Sequence, residues 1–374
     1  MTLLGCVDPF EFQVTETAKV LVVESSLTNE RTAHMTRLSY TFSLETSEPE
    51  PASGALVTIE DGNGNRQTLQ ENTSGVYQTD SSFAGVVGES YTLHIALDGQ
   101  EFISSTQVLP VPAMIDSVYG RYFELPSTED ATNELGVQLF VDATATDNSG
   151  NYRFEYEETY EIRVPFPSFY EWSASEQSFF PREESVERCF KTQYSEQLLV
   201  ASASGLSGSR LSEFPLRFIN EEAPELRRRY SILVKQFSIS SETFGYYRDL
   251  QENNESAGSF FDSQKGTIPG NLQRVGQPEI PVLGYFEVAG VTQSRRFFQG
   301  RDFVPQGFTI SSDPSCGGEE LEEVPSSNFP EYFRNNPFRN IIFFTLPGLA
   351  LVAPDRCSDC RLLGELEEPT FWEQ

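Results

Sequence analysis

From Lys19 onward apolar residues recur at every second position, and that period leaves this chain little besides β-sheet to fold into. The run 20–24 is short, apolar and β-branched, and 37–44 alternates polar with apolar, so the two are expected to pair as neighbouring strands. Further strands are expected at 55–59, 66–69, 75–78, 91–97 and 101–108. Asn63-Gly64 predicts a two-residue type I′ hairpin between the first two of these, and Asp98-Gly99 a turn between the last two. Asp61, Asn63 and Asn65 also sit at alternate positions, as calcium ligands do. An EF-type loop, however, needs a distant bidentate glutamate and flanking helices, so the turn is the better reading. In 91–97 one face carries Tyr91, Leu93, Ile95 and Leu97, which points His94 outward.

At 374 residues the chain exceeds what one core usually holds, so more than one domain is expected. Residues 1–17 read as a tether. Short strands with regular turn signals over 18–110 predict an immunoglobulin- or prealbumin-like β-sandwich, and Pro110-Val111-Pro112 a stiff linker. Residues 114–374 are then a larger β-rich domain with one helix and long loops, for an all-β protein overall. The helix is expected over 240–254, with Ser240 as N-cap, Glu242 in the first turn and Phe244, Tyr247 and Leu250 on one side. In 152–164 an apolar face of Tyr152, Phe154, Tyr156, Tyr160, Ile162 and Val164 must be buried opposite Arg153, Glu155, Glu157, Glu161 and Arg163. Strands are also expected within 133–146 and at 229–238, 282–288 and 293–299.

A net charge of −30 excludes nucleic acid and anionic membrane surfaces as partners, since both select a basic footprint. Only Lys19, Lys191, Lys235 and Lys265 are lysines, against 22 arginines, a bias that resembles salt-adapted proteins and reads as a solvated acidic surface. No apolar run is long enough to span a bilayer, and 341–353 is broken by Pro347-Gly348. Membrane attachment must therefore come through Met1-Thr2-Leu3-Leu4-Gly5-Cys6, whose Leu-x-Gly-Cys is the pattern at which bacteria attach lipid to cysteine. Met1 then reads as an internal residue of a longer signal peptide, and Cys6 as the first residue of the mature protein.

With Cys6 assigned to lipid, Cys189, Cys316, Cys357 and Cys360 form an even set, read as disulfide cysteines with three possible pairings. Zinc on Cys357-Ser-Asp-Cys360 lacks a second close ligand pair, and thiol redox lacks the helix N-terminus it needs. Catalytic signals are sparse. The two histidines, His34 and His94, are not placed as a triad needs, 205–209 only approaches a nucleophile elbow, and no phosphate loop, dinucleotide fingerprint or H-E-x-x-H occurs. Neither a cofactor nor a metal is expected. The aromatic segment 165–172, followed by Phe179-Phe180-Pro181, either packs on its own sheet or presents rings to a partner, and Phe169, Tyr170 and Trp172 are the candidate contact residues. Phe329 to Phe344 poses the same choice.

Seven segments together resemble one family: Cys6-Val-Asp-Pro-Phe-Glu11, Val22 to Glu30, Ile115-Asp-Ser-Val-Tyr119, Tyr152 to Glu161, Tyr230 to Gln236, Val282-Leu-Gly-Tyr-Phe286 and Cys357-Ser-Asp-Cys-Arg361. In this order they are similar to the Bacteroidota family called domain of unknown function 4249. The resemblance implies an outer-membrane lipoprotein beside a TonB-dependent receptor, and Asp8 and Glu11 resemble a surface-export signal, favouring the cell surface over the periplasmic face. It carries no catalytic residues. The expectation is an accessory subunit of that receptor in nutrient capture or surface assembly, not an enzyme. The alternatives are a surface hydrolase of glycan or peptide and a free-standing adhesin or glycan-binding module. A hydrolase should show a concave site of converging acids with perturbed pKa, and a subunit an apolar, ring-bearing patch.

Overall fold

A computed structural model of the chain describes residues 19–41, 48–126, 133–145, 150–205, 209–256, 268–311 and 316–372. Strand dominates it, in several antiparallel sheets with one parallel pairing among the registers described. It divides into two compact units, one of residues 1–112 with 238–291 and one of 113–237 with 292–374. Cys6, Asp8, Glu11 and the tether lie outside the described residues.

The first unit is a sandwich of two sheets. Leu21–Thr28 pairs antiparallel with Met35–Tyr40, as the alternation of both predicts, and the sheet continues through Val76–Gln78. In the other sheet Ser90–Leu97 lies between Leu56–Asp61 and Gln100–Ser104. Tyr91, Leu93, Ile95 and Leu97 are buried from one face, and they meet Leu21, Val23, Leu27 and Leu38 from the opposing sheet in a single core. Period two thus decides which side chains are desolvated, and each fully buried Leu, Ile or Val contributes roughly 1.5–3 kcal/mol.

Two later segments complete this sandwich. Leu283–Gln299 runs parallel to Leu21–Thr28 from Val22↔Leu283 to Thr28↔Ala289, and Leu272–Arg274 pairs with Gln100–Ser104. Phe286, Val288 and Leu272 thereby join the core. The division therefore differs from the sequence-based one: 238–291 groups with the N-terminal sandwich instead of the larger domain. The reason is that a parallel partner can only arrive after a crossover, so its position in sequence says little about its place in the sheet.

The hairpin after Leu56–Asp61 also differs from expectation. Gly64 has φ +84°, but Asn63 is not in the left-handed region, so the turn is not type I′. Asp61 holds it instead, its carboxylate accepting from the Asn63 and Asn65 backbone N–H groups at 2.9 Å each. Asp98 and Gly99, at φ 52° and 72°, do form the primed turn. The helix spans Ser241–Ser256, and Ser240 Oγ accepts from the Thr243 N–H at 3.1 Å, the N-cap expected of it.

In the second unit Glu134–Thr144 pairs with Met114–Leu125 on one side and Arg210–Asn220 on the other. Val137, Leu139, Val141, Leu216 and Ile219 from this sheet share a core with Tyr152, Phe154 and Tyr160 of Asn151–Arg163 and with Tyr230, Ile232 and Val234 of Arg229–Ser238. A smaller sheet of Glu322–Pro325, Leu349–Pro354 and Arg339–Leu346 carries a second helix, Phe329–Asn335, where no helix was expected. Pro330 in its first turn is the signal for it.

Gly284 sits opposite Val23 with φ +90°, and a Cβ there would fall 1.9 Å from the Val23 carbonyl oxygen. Gly245, inside the helix, has nothing within 4 Å of its Cβ position. Urea denaturation should show Gly284→Ala destabilised by at least about 2 kcal/mol. The same measurement should show Gly245→Ala stabilised by roughly 0.5–1 kcal/mol.

Candidate functional site

The strand Asn151–Arg163 builds a cleft in the second unit. Leu199–Ser202 pairs with its first four residues and Arg188–Tyr194 with its last seven, so residues 195–198 bulge away between them. Ser195 fastens the bulge: its N–H donates to the Tyr156 carbonyl at 2.9 Å and its Oγ accepts from the Tyr156 N–H at 3.1 Å. With Tyr152 and Phe154 turned to the core, alternation places Arg153, Glu155 and Glu157 on the other face. Together with Lys235 and the bulge they enclose about 430 Å3.

Most of the charge on that face is already matched. Arg153 pairs with Glu155, and its guanidinium lies 3.9 Å from the centre of the Phe237 ring. Arg295 donates to Glu157 at 2.8 Å and to Ser231 Oγ at 3.0 Å, with Phe371 stacked 3.5 Å from its guanidinium carbon. Neighbouring Arg229 lies 4.2 Å from the Phe297 ring and donates to the Trp372 carbonyl at 2.6 Å. The lining thus combines fixed ion pairs with the exposed Tyr194 ring, an arrangement suited to binding small polar molecules.

A further pair of acids lies buried away from the cleft lining. Glu158 and Glu225 are buried on either side of Arg217, at 3.4 and 3.5 Å, and Tyr230 Oη donates to Glu158 at 2.8 Å. Burial, reinforced by the Glu158 charge, pushes the Glu225 carboxyl above its ordinary value of 4.5, while Arg217 and Lys191 pull the other way. Burial likewise raises Tyr160 and Tyr230. These groups adjoin the core of the second unit and are held together by Arg217.

All four expected disulfide cysteines are bonded, Cys189 to Cys360 and Cys316 to Cys357, each pair with Cα atoms 5.5 Å apart. The two cysteines of the C-x-x-C therefore take different partners, and both are fully buried. They are crosslinks, as the turn-like sequence before them indicates.

Of the three ring residues proposed for contact, only Phe169 is open, at 58 % exposure. Tyr170 and Trp172 are half-buried and pack against neighbouring rings. They lie at i and i+2 of the strand Tyr170–Ser173 and so share a face, where Tyr170 meets Phe344 at 5.2 Å and Trp172 stacks on Phe333 at 5.3 Å. Phe180, Phe338 and Phe343 are also exposed, Phe338 at 73 %. His34 lies in the connection before Met35–Tyr40, buried, with burial lowering its pKa and Nε2 3.2 Å from the Glu30 carbonyl. His94 is half-buried, 3.6 Å from the Glu60 carboxylate. Among the described residues no three His, Cys, Asp or Glu side chains are grouped to hold a metal ion, and no helix is long and apolar enough to cross a membrane. Of the segment 205–209, residues 206–208 lie outside the described residues.

Fold and site together define an all-β, disulfide-crosslinked protein with a polar cleft on a sheet face. Residues 7–295 match the family described as "Domain of unknown function (DUF4249)". The chain belongs to that family.

Removing Cys316 and Cys357 together, as Cys316→Ser with Cys357→Ser, should lower stability by about 2–4 kcal/mol in chemical denaturation, since their 41-residue separation closes a long loop. The Glu225 shift gives a second expectation. The folded state holds this proton more tightly than the unfolded one, so its contribution to stability falls as pH rises from 4.5 through the folded pKa. Glu225→Gln removes that slope. Its stability relative to wild type should therefore climb over the same window, and a pH-independent difference would refute the assignment.

Proposed function

We propose that this chain is an outer-membrane lipoprotein of Bacteroidota, anchored through Cys6 and facing the cell surface, that serves as a non-enzymatic accessory subunit of a TonB-dependent outer-membrane receptor in nutrient capture or surface assembly. The observation that carries the reading is the pairing of the cysteines. Four of the five are joined in two buried disulfides, which persist outside the reducing cytoplasm, and the odd one is Cys6, within Leu3-Leu4-Gly5-Cys6. A diacylglyceryl group with an N-acyl chain on that cysteine is a stable anchor, because two chains hold where one binds only marginally.

Tethering then supplies the mechanism. Confinement to the membrane plane raises the effective concentration of the chain at a membrane partner without any new contact. The exposed rings Phe169, Phe180, Phe338 and Phe343 support docking, since aromatic side chains dominate interface energetics when they fill a partner's pockets. The buried acids favour this reading over a hydrolase: Glu158 and Glu225 share Arg217 beside a core instead of lining the cleft.

Cys6→Ser should release the protein from outer-membrane fractions, and affinity capture of the wild-type chain from detergent-solubilised outer membrane should recover a β-barrel receptor in stoichiometric amount. Recovery of the lipoprotein alone would overturn the subunit reading. A Cys6→Ser protein that stayed membrane-bound would overturn the anchor.

A further inference from the structure

The cleft beside Asn151–Arg163 has a charge that the protein leaves unanswered. On this sheet face Arg153 is answered by Glu155 and Arg295 by Glu157. Lys235, half-buried in the cleft and extending from the strand Arg229–Ser238, has no ion pair or hydrogen bond among the described residues. On the bulge across from it Glu196 is likewise without an ion pair or hydrogen bond among the described residues, and it is exposed. Tyr194, at 69 % exposure, offers an apolar surface beside it.

We infer that this cleft binds the backbone charges of a short peptide, the terminal carboxylate on Lys235 and the terminal ammonium on Glu196, with the side chains against Tyr194. The volume of about 430 Å3 lies in the lower part of the small-ligand range, roughly 300–1,000 Å3. Both signs of free charge in one cleft match a zwitterion. An acidic saccharide matches only Lys235 and leaves Glu196 unanswered. Partial burial strengthens the lysine contact relative to one in open water. This assignment stands on the cleft alone and does not depend on how the chain is held or on which protein it accompanies.

The test is equilibrium dialysis of the purified full chain against an equimolar mixture of Ala-Ala-Ala, Ala-Leu-Ala and Ala-Tyr-Ala, read by mass spectrometry. Saturable retention of at least one peptide is expected, weakened at least tenfold by Lys235→Met and reduced by Glu196→Gln, with the thermal midpoint of each variant unchanged. C-terminal amidation of the retained peptide should abolish binding to the wild-type chain and N-acetylation should weaken it, a check that needs no variant. No saturable retention, equal retention of amidated and free peptides, or preferential retention of trigalacturonate in a parallel dialysis would each overturn the assignment.

Discussion

The pairing of Leu283–Ala289 alongside Leu21–Thr28 is the constraint on which the first unit depends. Parallel neighbours cannot be joined by a tight turn, and here the parallel partner comes more than 250 residues later, as the register Val22↔Leu283 shows. The intervening sequence accommodates most of a second sandwich. Until the later strand arrives, Leu21–Thr28 has only one neighbour, and the core around Val23 and Leu27 lacks Phe286 and Val288. Loop closure over that distance costs little more than over a shorter one, because the entropy grows only with the logarithm of length. The consequence falls on rate: non-local pairing of this kind makes folding slow.

The excess of arginine over lysine gains a structural meaning beyond a solvated surface. Arg153 over Phe237, Arg229 over Phe297 and Arg295 over Phe371 each lay a flat cation on a ring while the guanidinium edge stays free for carboxylates or carbonyls. A lysine ammonium is a compact point charge that cannot cover a ring and hold a fork of donors at once. One sheet face thus holds Phe371 and Trp372 through arginines. Charge excess and aromatic content, separate in composition, meet in these stacks.

Much of the fold was legible because period two was strong where one face is wet. Ser90–Leu97 and Arg229–Ser238 lie where alternation and β-branched content put them, and the Ser240 cap sets the start of the helix. What escaped was non-local. Nothing near residue 283 announces a partner at residue 22, and nothing near Cys357 announces that its partner is Cys316. Asn63-Gly64 misled because Asp61 offered a competing carboxylate cap, which stabilises a different turn. In the ring segment the information was present: the i, i+2 spacing of Tyr170 and Trp172 separates them from Phe169, and only the strand assignment was missing. The cleft was the least legible feature, since it arises from a bulge between two strands that flank a third.

The disulfide pattern also departs from the order of the cysteines along the chain, which come as Cys189, Cys316, Cys357 and Cys360. An oxidant joining cysteines as they emerge would produce Cys189–Cys316 and Cys357–Cys360, whereas the native bonds are nested, with Cys316–Cys357 inside Cys189–Cys360. The nested pattern therefore follows which cysteines the fold brings together, at Cα separations of 5.5 Å, and not their order in sequence. Any misjoined pair would have to exchange through an accessible thiolate, because the native bonds end buried.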